Sequence, residues 1–298
     1  MEVAEETGAL GHWRTVQRAA LPQLRTYVHG YLASSSCLSG SVRELHLPSA
    51  EVALILNFGE RHRRLDALGR EGWTSRDGVW VIGLHDRHQT TEAAGEREFL
   101  VVRLTPLGAH LFLRLPMHLV ANEALDLDQI EPSLARTVMG RVGVARGWAD
   151  RFAAMDDLIA QRVEEAGRSN GVDAAWRQLV AADGRVAIGS LAADMDCSRR
   201  VLIARFRNQV GFPPKTVARL LRFNRAVRSL NMRDRTTADD LPGRPFIEAA
   251  EPGGRLVGAV PWADLAADCG YSDQAHLIRE FQAFAGSAPT AFLRKVAG

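Results

Sequence analysis

Between residues 42 and 104 the apolar positions come in short runs. VRELHLP, EVALILNF, RHRRLDAL, VWVIGLH and EFLVVRLT are brief, several are alternating or β-branched, and Pro48, Gly59, Gly69, Gly72, Gly78 and Gly95 separate them. This is the pattern of antiparallel strands joined by turns, and it predicts a small barrel or sandwich. From Leu107 the period lengthens. Leu111, Leu115 and Leu119 are i, i+4 neighbours, and SLARTVMGRV and DRFAAMDDLIAQRVEEA are amphipathic, so residues 107–166 are predicted to be mostly helical. GRSNG at 167–171 reads as a linker. Beyond it the spacing is helical throughout, except in 233–259. There Pro242, Gly243, Pro245, Pro252, Gly253, Gly254 and Gly258 mark an insertion.

The expected fold class is therefore α+β in two domains. An antiparallel β-barrel-like domain with trailing helices spans 1–166, and an all-α domain spans 172–298. A chain of 298 residues is long enough for both. With 46% hydrophobic and 24% charged residues, the composition is that of an ordinary globular protein. No apolar run approaches the ~18–20 residues of a membrane span. The opening MEVAEETGAL carries acid where a signal peptide carries base, so a cytoplasmic chain with no membrane partner is expected. Cys37, Cys197 and Cys269 form no CxxC pair, which argues against a disulfide framework or structural zinc.

One stretch occurs twice. LAADMDCS, from Leu191 to Ser198, returns as LAADCGYS, from Leu265 to Ser272. After one extra residue in the second copy, Phe206, Gly211 and Pro214 correspond to Phe281, Gly286 and Pro289. Each copy reads as a helix–turn–helix, over 186–208 and 262–284. A short helix buries Leu-Ala-Ala, and a tight turn follows, for which Gly270 serves in the second copy. Ser198 or Ser272 then caps the second helix. Leu202 and Phe206 lie four apart and face the core, as do Leu277 and Phe281. A helix over 214–231, with Pro214 in its first turn, joins the units.

At about 100° per residue, the face opposite Leu202 carries Arg200, Ala204 and Arg207, flanked by Ile203 and Asn208. The face opposite Leu277 carries Ala275, Arg279 and Gln282, with Gln274 towards one edge. Arg and Gln can donate paired hydrogen bonds to base edges in a major groove. Ser198, Arg205, Lys215, Arg219, Ser272, His276 and Thr290 are placed to hold phosphates. From Ser198 to Arg235 eleven basic residues face one aspartate, a net +10 in a chain of net +2. A polyanion is the natural partner of such a segment, and twin helix–turn–helix units make that partner double-stranded DNA.

Residues 172–298 resemble the DNA-binding domain of the AraC/XylS family of bacterial transcription regulators. The resemblance is carried by IGSLAADMDCSRRVLIARF, GFPPKTVARLLRFNRA, LAADCGYSDQAHLIREFQAFAG and SAPTAFLRK. It implies two recognition helices entering successive major grooves, about one turn or ~34 Å apart. By position, the base-reading residues fall on Arg200, Ile203 and Ala204 in the first unit and on Gln274 and Arg279 in the second. Ile203 and Ala204 are apolar where relatives often place hydrogen-bonding side chains. The first unit then reads thymine methyl groups or leans on Arg200 and Arg207. The insertion also departs from the family's shorter connection. It reads as an inert excursion, with DNA contact through Arg233, Arg235, Arg244 and Arg255, or contact with polymerase, as the alternatives. Family habit implies an activator, with RNA polymerase as a further partner.

The front half is similar, less specifically, to the cupin-like sensor domains that precede such units, through RELHLPSAEVALILNFG and EFLVVRLTPLGAHLFLRLP. That implies a small-molecule effector, a homodimer, or both. Val138, Val142, Phe152, Met155, Ile159 and Val163 either cover the barrel or form a dimer interface. The competing class is a metal-dependent cupin enzyme with an accessory DNA-binding domain. It requires a His-x-His pair with a following Glu. HDRH at 85–88 has the wrong spacing, and strand alternation would place His85 and His88 on opposite faces. His46, His62, His85, His88 and His110 therefore read as surface or loop residues. Without a Walker loop, a GxGxxG or a Ser/His/Asp signature, no enzyme and no cofactor are expected.

Overall fold

The computed structural model describes residues 1–8, 11–60, 63–65, 71–73, 77–167, 172–233, 246–247 and 260–297. The front part is one antiparallel sheet. Its strands are β1 (Glu2–Gly8), β2 (Gly11–Ala19), β3 (Val28–His46), β4 (Val52–Asn57), β5 (Arg63–Leu65), β6 (Glu71–Trp73), β7 (Gly78–Ile82), β8 (Gln89–Leu104) and β9 (Ala124–Asp126). The main path runs β1-β2-β3-β8-β4-β7-β9. β8 is its spine. One edge pairs with β3, from Val28↔Leu104 to His46↔Gln89. The other edge takes β4 beside Phe99–Leu104 and β5 beside Thr90–Glu92. Register shifts at Val28/Gly30 and Leu38/Val42 interrupt the long ladder, and Gly95 takes φ 72° opposite the second. Such irregularities bend a strand, and here they curl the sheet around a cavity.

Strands begin at Glu2, well before the expected residue 42. The segment VHGYLASSSCLSGSVRELH has the serines and glycines of a loop, yet all of it is β3. Its backbone is paired on both sides, by β2 and β8, and Ser34 and Ser36 are buried there. Ladder pairing and a close fit override weak strand propensity.

Alternation divides the strands between two faces. Val52, Leu54, Leu56, Val79, Val81, Leu100, Val102 and Leu104 are buried on one face, in the same core as Phe112, Val138, Phe152, Met155 and Ile159. That core lies beneath α1 (Pro106–Leu113), α2 (Leu127–Ile130), α3 (Pro132–Val138) and α4 (Gly147–Ala166). The apolar positions of 133–166 thus cover the sheet within this chain. The other face, through Ala53, Ile55, Asn57, Trp80, Ile82, Phe99, Val101 and Arg103, lines the cavity.

The back part is helical: α5 (Asp173–Ala181), α6 (Ile188–Asp194), α7 (Arg199–Gln209), α8 (Pro214–Arg233), α9 (Trp262–Asp268), α10 (Gln274–Ala285) and α11 (Pro289–Ala297). α6–α7 and α9–α10 are the two repeated units. The second turns on Gly270, at φ 78°, and the corresponding Asp196 of the first takes φ 46°. Aspartate is among the few residues other than glycine that tolerate this left-handed geometry, so both copies keep one turn shape. α8 is the joining helix and also their common core. Its Phe223 ring lies 5.1 Å from Phe281 and 5.0 Å from Phe284. Most of the insertion lies outside the described residues, including Arg235, Arg244 and Arg255, as do His62 and residues 168–171 of the linker. Within the insertion, Phe246–Ile247 pairs with His46 and Leu45 of β3.

Candidate nucleic-acid interface and barrel pocket

α7 buries only Leu202 and Phe206. Arg199, Arg200, Val201, Ile203, Ala204, Arg205, Arg207 and Asn208 are all exposed. The Ser198 hydroxyl caps the helix, accepting from Val201 N at 3.3 Å. α10 buries Leu277, Glu280, Phe281, Phe284 and Ala285, and leaves Gln274, Ala275, Arg279 and Gln282 exposed. Each face opposite the buried pair is therefore open. Two expectations change. The cap of α10 is Asp273, not Ser272: Asp273 Oδ1 accepts from His276 N at 2.7 Å. The extra residue of the second copy moves the aspartate into the capping position. Ser272 Oγ instead meets His276 Nδ1 at 3.1 Å and donates to Asp273 Oδ2 at 3.1 Å. The second change is Val201, an exposed apolar residue on α7 that the residue-by-residue reading passed over. The helical phase places it beside Ala204.

The basic segment is only partly free. On α8, Arg219 Nε donates to Glu280 Oε1 at 2.7 Å and its guanidinium lies 5.4 Å from the Phe284 ring, so it fastens α8 to α10. Arg222 donates to Gly184 O at 2.9 Å. Arg225 and Arg228 both bind Asp183, at 2.6 and 2.9 Å. These arginines neutralise and brace the domain. Lys215, Arg205 and Thr290 are exposed, and His276 is half-buried against Tyr271. The available positive charge is thus concentrated on α7 and at the start of α8.

The cavity of the sheet domain encloses about 160 Å³. A cavity of about 150 Å³ accommodates benzene, so a small molecule fits. Its polar groups are largely committed to one another. Arg97 donates to both oxygens of Glu44, at 2.6 and 3.3 Å, and Arg103 to both of Glu51, at 2.8 and 2.5 Å. His46 Nε2 lies 2.6 Å from Thr91 Oγ1. Burial pushes the His46 imidazole down to about 4, so it is neutral at pH 7. Burial also opposes ionisation of Glu44, but the Arg97 charge and hydrogen bonds outweigh it and hold that carboxyl below its usual range. Between these pairs Ala53, Ile55, Ile82, Phe99 and Val101 give the walls an apolar surface. Trp80 Nε1 and Arg97 Nε are buried donors without a protein acceptor. His46 departs from expectation, since it lies half-buried in β3; His85 and His88 lie in a loop and not in a strand, and His85, buried there, donates from Nδ1 to Gly83 O at 2.7 Å. Among the described residues no three His, Cys, Asp or Glu side chains come together as a metal site. No helix among them is long and apolar enough to cross a membrane.

The cavity's rim loops touch the helical domain. Asn224 of α8 holds the loop at Pro48–Ala50. Asp86 N donates to Asn122 Oδ1 at 3.0 Å, and Asn122 N to Leu84 O at 2.8 Å. The neighbouring Met117 and Ala121 press on Gly211, just past α7, where an added Cβ would lie 3.1 Å from Met117 O. A Cβ on Gly286, at the end of α10, would meet the His88 ring at 2.3 Å.

This architecture, with a curled sheet and covering helices in front of paired helix–turn–helix units, is the one the sequence likeness implied. Among solved structures, ToxT from Vibrio cholerae is similar at 10% identity and a TM-score of 0.48, over 90% of this chain and 99% of that one. ToxT from Vibrio cholerae O395 bound to (E)-4-(8-methylnaphthalen-1-yl)but-3-enoic acid is similar at 9% identity and 0.47, over 89% and 99%. Oxalate decarboxylase from Bacillus subtilis is similar at 20% identity and a TM-score of 0.24, over 35% of this chain and 28% of that one. No curated protein matches the chain. Residues 17–126 match the family model of a domain of unknown function, DUF6597.

Proposed function

We propose that the chain is a cytoplasmic, sequence-specific DNA-binding regulator of transcription of the AraC/XylS type, acting as an activator and not as an enzyme. One observation carries this reading. Two helices of a duplicated unit each bury a Leu–Phe pair and leave the opposite face open, rich in Arg and Gln. In this reading Arg200, Ile203, Ala204, Arg207, Gln274 and Arg279 meet base edges. Ser198, Arg205, Lys215, Ser272, His276 and Thr290 lie towards phosphates. Arg219 acts from behind, setting α10 against α8. The cavity takes a small, mainly apolar effector carrying a hydrogen-bond acceptor for the unpartnered Trp80 and Arg97 donors. RNA polymerase is the further partner of an activator, and a homodimer would form outside the sheet-covering face of α3 and α4.

Fluorescence anisotropy with DNA from upstream of the chain's own and neighbouring genes tests this, against scrambled competitor at several salt concentrations. Binding is expected to be specific and to fall steeply with salt. Arg279→Ala is expected to lose about 1–3 kcal/mol and relax specificity. Equal affinity for scrambled DNA, with and without cell extract as a source of effector, would sink the reading.

A further inference from the structure

The open face of α7 carries an apolar strip. Val201 is 40% and Ile203 37% exposed, and Ala204 is exposed with them. At about 100° per residue, Ala204 stands opposite the buried Leu202–Phe206 pair, with Val201 on one side and Ile203 on the other, beyond Arg200 and Arg207. All three lie in the first two turns after the Ser198 cap. That is the part of a recognition helix that reaches base edges. Among the described residues α10 exposes no large apolar side chain. Its open face is Gln274, Ala275, Arg279 and Gln282.

The two helices therefore suit different groove chemistry. The only apolar group on a major-groove base edge is the thymine 5-methyl, whereas Arg and Gln suit the acceptors of guanine and adenine. Ala204 lets the helix approach the groove floor closely. Arg205, beside the strip, then extends towards a flanking phosphate.

Building on the reading of the chain as a DNA-binding regulator, we propose that α7 recognises thymine methyl groups through Val201, Ile203 and Ala204, while α10 recognises purine edges through Gln274 and Arg279. The operator half under α7 is accordingly read by methyl contacts alongside Arg200 and Arg207, and the half under α10 by hydrogen bonds alone.

The test is selection by the full-length protein from a random duplex pool, prepared once with thymine and once with uracil in its place. From the thymine pool, one half of the enriched motif is expected to hold fixed thymines. In the uracil pool those positions lose their preference while the purines of the other half persist. Each methyl removed from the best sequence costs about fourfold in affinity, the worth of one buried methyl-sized group. The exposed double variant Val201→Ala/Ile203→Ala, with its melting temperature checked, loses the thymine preference in the same way and becomes indifferent to uracil. Identical motifs and affinities from both pools overturn this inference and leave the DNA-binding reading intact. No enrichment from either pool overturns that reading and this inference with it.

Discussion

Asn224 donates from Nδ2 to Pro48 O at 2.7 Å and accepts at Oδ1 from Ala50 N at 3.2 Å. One side-chain amide on the joining helix thus satisfies two backbone groups of the loop between β3 and β4. Pro48, Ser49 and Glu51 of that loop line the cavity. The residue before Asn224 is Phe223, which packs on Phe281 and Phe284 of the second unit. The pocket rim and the core of the helical domain meet at adjacent positions of one helix.

Removing that amide should loosen the rim first. Asn224→Ala leaves a half-buried carbonyl and N–H without their partner, a cost of about 1–3 kcal/mol. Hydrogen exchange at the Ala50 amide is expected to quicken at least tenfold, with little change in the strands below. An unchanged rate would show that the loop is held from within the barrel alone.

A buried ionic cluster fixes α4 to the sheet. Asp156 is 4% exposed and binds the Arg18 guanidinium. The Tyr31 hydroxyl donates to Asp156 Oδ1 at 2.5 Å, and the Arg18 guanidinium lies 4.6 Å from the Tyr31 ring. Burial first, and then the carboxylate it serves, raise the Tyr31 phenol far above its usual range. Asp156→Ala strands a cation against apolar rings and should destabilise by about 3–5 kcal/mol. Tyr31→Phe removes one hydrogen bond and should cost about 1–2 kcal/mol. Urea denaturation measures both, and equal losses would disprove the ranking.

Acid should weaken the sheet domain before its carboxylates are protonated. Above pH 6.5 His46 is neutral whether the chain is folded or not. Between 6.5 and about 4 the unfolded chain takes up a proton that the folded one refuses, so stability falls as pH drops. The gap is worth up to about 3 kcal/mol. Glu44, held low by Arg97, adds its loss only at more acid pH. Urea midpoints from pH 7.5 to 4.5 should decline, and His46→Gln should flatten that slope. A slope unaltered by the substitution would assign the proton uptake elsewhere.

The back half was more legible than the front. Its signals are local: a repeated Leu-Ala-Ala-Asp, a residue suited to φ > 0, a capping side chain and an i, i+4 Leu–Phe pair lie within one unit. In the sheet domain the decisive information is long-range. Nothing in the serines of β3 announces a strand, because their place depends on β2 and β8 pairing along both edges. The cavity is hidden for the same reason: Glu44 and Arg97, or Glu51 and Arg103, become pairs only when β3, β4 and β8 lie side by side. Charge counting also overstated the open basic surface, since arginines that look alike in sequence divide between open α7 and the internal ties of α8.

α7 and α10 begin differently, and this can be measured by denaturation. Ser198 caps α7 through a 3.3 Å hydrogen bond, whereas Asp273 caps α10 at 2.7 Å. The bond from the His276 amide, followed by that from the Ser272 hydroxyl, holds the Asp273 carboxyl below its usual range. Asp273 thus combines a short hydrogen bond with a negative charge at a helix N-terminus, and both stabilise. Ser198→Ala should cost about 0.5–1 kcal/mol, and Asp273→Ala should cost more. Ser272→Ala, outside the cap, should stay within about 0.5 kcal/mol of the parent. Guanidinium denaturation of the three variants would give this order if the added residue of the second copy moved the cap from serine to aspartate. A larger loss for Ser272→Ala than for Asp273→Ala would restore the serine as the cap and with it the strict equivalence of the two units.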